Sequence, residues 1–559
     1  MTSMHQSSTI SLITLVTALT VFTTRDVNAQ GGLQPPPVPA GNPITAEKTL
    51  LGKALFWDEQ LSSTRMTACG TCHILTAGGS DPRSVVGNPN STHPGADGIF
   101  GTNDDVTGSP GVVRSGADGL YIADADFSLR LQVTPRRSMP AVNAGYPRSL
   151  FWDGRAFEEF RDPLTNNVIL PRFAALESQA LGPIMSEVEM GHEGLDWSGV
   201  GDRLESSQPL AMATNIPVDL NIWINNRDYP ALFADAFGDP AITPVRIAMA
   251  LATYQRELYT NQAPIDDFLN GNPNALTQQE QRGFNVFNSP QAGCNICHGG
   301  PLFSDNLFHY TGVTPQNEDA GLGGINGDPR AEGLMKTPSL RNVELRAPYF
   351  HNGNEATLAG VVNFYNRGGN FNGPNKAPGV RPLGLNAGQR ADLLAFMGRP
   401  LTDPRLRDGL APFDRPTLFS ESNQGGVVYG LPTPGSAGIR PVMVALEPPM
   451  LDNPSLTVGV DRGLGGAAAT LLVDRSADFA GSPLRGATSY LALSAALIQN
   501  PVTLDGVGAG NGTSSLSFAV PDQAALIGQN FYAQWFIEDP DAPAGVSATS
   551  AVHFTLFRN

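Results

Sequence analysis

The sequence predicts a mainly α fold in which two related helical halves each wall one cofactor, followed by a small all-β, sandwich-like domain. Three observations lead there. The pentads CGTCH (69–73) and CNICH (294–298) consume all four cysteines of the 559 residues, and each follows a similar lead-in, Gly52 to Phe56 and Gly283 to Phe287. Helix-start signals surround the pentads. Past about residue 415 the texture turns to β-branched and aromatic runs broken by Gly, Pro and Asp.

Taken in order, the chain begins with the apolar run ISLITLVTALTVFTT and then VNAQ, which reads as a secretory signal over residues 1–29 with cleavage after Ala29. The leader lacks Lys and Arg before that run and carries only His5, a departure from the usual positive start. No later segment approaches the length of apolar sequence that a spanning helix needs, so the mature chain reads as exported, periplasmic and without a transmembrane segment. Residues 30–255 and 256–415 form the two halves, 416–440 a linker containing SNQGGVVYGLPTPGSAG, and 441–559 the β domain.

Within the halves, Thr243-Pro244 opens a helix with Val245, Ala248, Met249 and Ala252 on its apolar positions, and Thr277 with Glu280 forms a capping box on a helix aimed at Cys294. Loops rich in Gly, Pro and Asn cover 86–119 and 314–333; with 61 glycines and 46 prolines, turns matter throughout. The β domain is read from SLTVGV, ATLLVDR, SSLSFAV, FYAQWFIED and VHFTLF, and holds no cysteine and a single histidine, His553. A formal charge of −17 argues against nucleic acid and anionic membrane surfaces as partners and favours a basic soluble one.

The pentads carry the chemistry. A covalently held haem needs two thiols to add across the porphyrin vinyl groups and an imidazole to bind the iron, and C-x-x-C-H supplies all three in one turn. A zinc ribbon brings its knuckles within about 20 residues, whereas 221 residues lie between Cys72 and Cys294, and a disulfide has no use for the trailing histidine. Two covalently bound haem c groups follow, attached at Cys69, Cys72, Cys294 and Cys297 with His73 and His298 on the irons. Their sixth ligands decide between electron transfer and peroxide chemistry, and six further histidines, 12 methionines and 11 tyrosines leave that choice open.

LGKALFWDEQLSS before CGTCH, SLFWDGRA (149–156), QALGPIMSEVEMG (179–191), CNICH, and MKTPSLRNVELRAPYFHNG followed by ATLAGVVNFYNRGG occur in an order similar to the bacterial dihaem cytochrome c peroxidase and MauG family. The resemblance covers roughly 45–405 and implies two cytochrome c-like helical haem domains, the first peroxidatic and the second electron-transferring. It assigns the open face of the first haem to Gln179, Pro183 and Glu189, with Glu189 as general acid/base, and places Trp152 as an electron relay between the haems. Opposite His298, peroxidases of the family carry Met where this chain has Tyr365, as MauG-like members do; a phenolate ligand favours oxidised iron. Met335 and Met397 are the fallback ligands.

A histidine that caps the resting iron in some family members falls here on Pro89, with His93 nearby in an inserted loop, so no resting cap is expected. The family's inter-haem calcium, held by an Asn side chain and two backbone carbonyls, falls on Arg137, Arg346 and Pro348, and an arginine at the side-chain position could not ligate a cation. The stretch DGIFGTNDD (97–105) offers another calcium site or a solvated acidic turn.

The resemblance implies an enzyme that reduces hydrogen peroxide, with electrons from a small cytochrome or copper protein. A MauG-like oxidase of aromatic residues in a partner protein, or of an organic reductant, is the alternative within the family. A dihaem electron carrier is the non-enzyme alternative. In a third reading the β domain is dominant, a wall- or partner-binding module that carries the haem part as passenger.

Overall fold

The first half is built on α1 (Ala46–Trp57), α2 (Ala175–Ala180) and α3 (Pro244–Glu257). In this computed structural model the described residues are 33–422, 424–495 and 497–558, and the expected signal segment lies outside them. The side chain of Thr45 caps α1 by accepting from the Lys48 amide, and Thr243 caps α3 by accepting from Arg246, as Thr243-Pro244 predicted. The two helices cross at Gly52, where an added Cβ would lie 2.0 Å from the Ala250 carbonyl oxygen. No side chain fits there.

The second half repeats this device with α4 (Gln278–Phe287), α5 (Leu358–Arg367) and α6 (Ala387–Met397). The capping box of Thr277 and Glu280 opens α4, and at its crossing with α6 a Cβ on Gly283 would lie 1.9 Å from the Asp392 carbonyl oxygen. The repeated lead-in thus has a packing cause: the glycine lets two helices touch, and the phenylalanine four residues on enters the core. Phe56 and Phe287 are both 1% exposed.

Each half has its own apolar core, one around Leu51, Leu55, Ile184 and Leu251, the other around Phe287, Phe303, Val362 and Phe396. Buried ion pairs pin the pieces: Arg256 on α3 donates to both carboxylate oxygens of Glu177 on α2, and Arg341 likewise grips Asp266. Removing one partner of such a pair strands a buried charge, at a cost of about 3–5 kcal/mol.

The C-terminal strands are β1 (Val427–Tyr429), β2 (Val442–Val444), β3 (Leu456–Gly465), β4 (Ala468–Asp474), β5 (Ala477–Leu484), β6 (Ala487–Leu491), β7 (Ile498–Thr503), β8 (Gly508–Phe518), β9 (Asn530–Glu538), β10 (Val546–Ala548) and β11 (Ala551–Thr555). Sheet β2-β3-β8 faces sheet β7-β4-β9-β11-β1, to which β10 adds beside β9, while β5 and β6 pair separately. Alternation builds the layers: Ala533, Trp535 and Ile537 of β9 enter the core shared with Val458 and Val460, whereas Phe536 points to the other face with Leu472 and Leu491.

One expectation changes. The structure is 28% helix and 20% strand, so "mainly α" overstates the helical share; long Gly- and Pro-rich loops fill much of both halves. Within 416–440, Val427–Tyr429 forms an edge strand, and the Phe419 and Ser420 amides donate to the carboxylate of Glu59, just after α1.

Candidate functional site

A cavity of about 670 Å³ opens beside the short helix Cys69–Cys72. His73 lines it, with Nδ1 3.1 Å from the Gly79 carbonyl oxygen. A carbonyl only accepts, so the ring proton sits on Nδ1 and Nε2 keeps its lone pair for a metal. Burial lowers the His73 pKa and favours this neutral ring. The indole of Trp57 lies against Gly70, where a Cβ would come within 2.2 Å of it, and Arg83 donates to Cys72 Sγ at 3.3 Å and to Asp81. The thiols of both pentads are unpaired.

The same cavity is lined by Gln179, Pro183, Glu189 and Trp152, which the sequence scatters over 38 positions. α2 carries Gln179, and the turn after it carries Pro183. Desolvation raises the pKa of Glu189, opposed by the charge of Arg155, whose guanidinium stacks 3.5 Å over Phe151. His93 also lines the cavity, and its Nδ1 accepts the Gly95 amide at 3.1 Å. That contact leaves the proton of the neutral ring on Nε2, the tautomer that donates rather than ligates.

The second cavity, about 210 Å³, contains Cys294, Cys297, His298 and Tyr365 in its lining, with Met335 and Met397. His298 repeats the first half's arrangement: Nδ1 is 3.0 Å from the Phe303 carbonyl oxygen, and burial pushes its pKa down to about 4. Tyr365 projects from α5 with its ring edge-on to Phe364, and burial drives its phenol well above the usual range. Cys297, Asp305 and His309 converge within 4.8 Å, but that thiol belongs to the CNICH pair.

Four residues line both cavities: Arg137, Pro140, Trp152 and His351. Trp152 donates from Nε1 to the Arg137 carbonyl oxygen at 2.8 Å, and the His351 ring meets its indole edge-on at 6.2 Å. Three buried nitrogens in this region have no partner: Arg137 Nε, Arg346 Nε and His351 Nε2. Among the described residues no carboxylate forms an ion pair with either guanidinium. Buried cations without counter-charge beside two cavities fit the carboxylates of porphyrins, so haem fits both sites.

Calcium does not fit between them. The Arg137 guanidinium donates to the carbonyl oxygens of Arg346 at 2.7 Å and Ala347 at 3.4 Å, and a divalent ion there would sit among two buried cations with no carboxylate. In the 97–105 loop Asp104 accepts the Ala96 and Asp97 amides and the Thr102 hydroxyl, while Asp105 accepts the Gly101 amide on Oδ2 and has its Oδ1 buried without a partner.

Residues 46–274 match the model of the di-haem cytochrome c peroxidase family. The chain is 30% identical over 412 residues to cytochrome-c peroxidase IdrP1 of Denitromonas iodatirespirans, covering 68% of this chain and 88% of that one. This chain belongs to the dihaem cytochrome c peroxidase and MauG family. The methylamine utilization protein MauG of Methylorubrum extorquens is also 30% identical, over 66% of this chain and 82% of its own. A crystal structure of a MauG-like protein associated with microbial copper homeostasis covers 68% of this chain and 96% of its own at 26% identity, with a TM-score of 0.48.

The protein is accordingly a dihaem peroxidase, an oxidoreductase that takes peroxide as substrate and haem as cofactor. Among the described residues no helix is long and apolar enough to cross a membrane. Sequence reasoning did not single out His351 or the pairing of Arg137 with the Arg346 carbonyl. His351 stood inside a quoted block, APYFHNG, but nothing local marks its Nε2 as orphaned.

Proposed function

We propose that Cys69 and Cys72, and Cys294 and Cys297, would each hold one haem c through thioethers, with His73 and His298 available to bind the irons and Tyr365 a further candidate ligand in the second cavity. Bound there, the haems would supply peroxide activation in the first cavity and one-electron storage in the second. Glu189, raised by desolvation, takes a proton from one peroxide oxygen and returns it to the leaving one. Gln179 and Pro183 bound the space in which peroxide lies, and Trp152 relays electrons across the wall common to both cavities.

The observation that carries this reading is that shared wall: an indole, 8% exposed, that lines both CxxCH cavities at once. With Nδ1 occupied by Gly95, His93 supports a first iron with no resting histidine cap. A leader over 1–29 directs the chain to the periplasm, where a small basic cytochrome or copper protein meets its acidic surface.

A second reading, MauG-like oxidation of aromatic residues in a partner protein, is favoured by Tyr365 in the second cavity where a thioether is the alternative. Electron paramagnetic resonance of holoprotein from a haem-maturing host, beside Tyr365→Met, tests both. We expect a high-spin component from the first haem and a low-spin signal that moves in Tyr365→Met. A low-spin signal unmoved by the substitution refutes Tyr365 as ligand, and a wholly low-spin protein inert to peroxide means an electron carrier.

A further inference from the structure

The β sandwich meets the first half along the segment 108–133, at Arg65, which donates to Ser455, and around Glu59. The first of these contacts is the most extensive. Val113, Tyr121 and Leu129 of the segment form a buried cluster with Val444 of β2, and Tyr121 packs on Gly459 of β3. Hydrogen bonds fix this seam: the Tyr121 amide donates to Ser515 Oγ at 2.9 Å, Thr457 Oγ1 to the Gly119 carbonyl at 2.9 Å, and Ser128 Oγ to Asp461 at 2.7 Å. Around Glu59, the Phe419 and Ser420 amides meet its carboxylate, and Phe557 at the end of the sandwich stacks on Phe419 at 5.5 Å.

The same segment 108–133 reaches the chain that carries Glu189. The Val112 amide donates to the Val188 carbonyl at 3.1 Å, and Gln132 Nε2 donates to the Glu187 carbonyl at 2.7 Å. Gly111 is pressed so closely that a Cβ would lie 1.9 Å from the Val188 oxygen and 3.0 Å from Glu189 Cα. Sheet, segment and Glu189 backbone form one packed stack, only one residue deep between Val113 and Gly111.

We propose that the β sandwich is a positioning element of the peroxide site, holding the Glu189 segment in register through residues 108–133. It is not a detachable module. Without the sandwich, Val113, Tyr121 and Leu129 would lose Val444 and Gly459 as packing partners, leaving the segment tied to 187–193 only by contacts such as the Val112–Val188 and Gln132–Glu187 hydrogen bonds. A misplacement of about 1 Å at a proton-handling group costs up to about a hundredfold in rate.

The proposal rests on Glu189 as the acid/base group, so its test separates the two. Tyr121→Ala and Thr457→Val are made in the full-length holoprotein and compared with Glu189→Gln by hydrogen–deuterium exchange over 186–191 and by the pH profile of kcat/KM for hydrogen peroxide. Expected in Tyr121→Ala are faster exchange at 186–191, a kcat/KM lowered about ten- to hundredfold and a displaced acid limb, with the second haem's resting spectrum unchanged. Thr457→Val, which removes one hydrogen bond and keeps the packing, moves the same readouts less. Wild-type exchange at 186–191 in Tyr121→Ala overturns the proposal. So does a wild-type pH profile in Tyr121→Ala when Glu189→Gln is inactive. A fully active Glu189→Gln overturns the acid/base reading alone, and the exchange result then still judges the positioning.

Discussion

Replacing Glu189 by glutamine isolates the proton chemistry of the first cavity. Among the described residues no protein hydrogen bond reaches this carboxyl; its surroundings are desolvating walls and the charge of Arg155. An isosteric amide therefore removes the proton-transferring group while breaking no contact, and stability should stay within about 0.5 kcal/mol of wild type. General acid/base catalysis is worth about 10²–10⁴-fold, or roughly 2.7–5.4 kcal/mol at about 1.36 kcal/mol per decade. The assay is steady-state kcat/KM for hydrogen peroxide with a reduced small cytochrome as donor.

The direction with pH follows from the raised pKa: the carboxylate form that accepts the first proton builds up only above the ordinary glutamate range, so the acid limb of wild type is displaced upward. Arg155→Gln, by removing the charge that opposes the shift, should move the limb further up, and Glu189→Gln should abolish it. A Glu189→Gln enzyme within tenfold of wild type, with its acid limb intact, refutes the reasoning.

Gly283→Ala forces a methyl into the space held by the Asp392 carbonyl, 1.9 Å away, so we expect at least about 1–3 kcal/mol of destabilisation by thermal or denaturant unfolding. Because Arg137 already donates to the inter-cavity carbonyls, EGTA should change neither the resting spectrum nor the turnover of the holoprotein. Glu59 is buried and its pKa is raised from 4.5 to about 7, chiefly by desolvation. The unfolded chain loses this proton first, so stability falls as pH rises from about 4.5 to 7, by about 3 kcal/mol from this group alone. Buried Asp58 beside it is also raised and adds in the same sense. Melting temperatures at pH 5 and 8 should differ accordingly, and Glu59→Gln should flatten the slope.

What the sequence disclosed was whatever is encoded locally. C-x-x-C-H is a contiguous chemical unit, and Thr243, Thr277 and Glu280 announce their helices because caps act within one turn. Gly52 and Gly283 were visible as a repeat, but their cause lies in partner helices about 200 and 110 residues away. His351 and the Arg137–Arg346 contact stayed hidden for the same reason: an orphaned nitrogen is defined by what the fold fails to bring near it. The strands of the sandwich followed from period-two patterning, whereas its seam with 108–133 joins residues more than 300 positions apart and leaves no local trace.

The wall shared by the two cavities has an electrochemical consequence. Trp152, His351, Arg137 and Pro140 each face both sides, so no substitution among them is private to one redox centre. On the dihaem reading proposed above, a potentiometric titration of any such variant should therefore report a shift at both midpoints rather than at one, because each of these side chains borders both cavities.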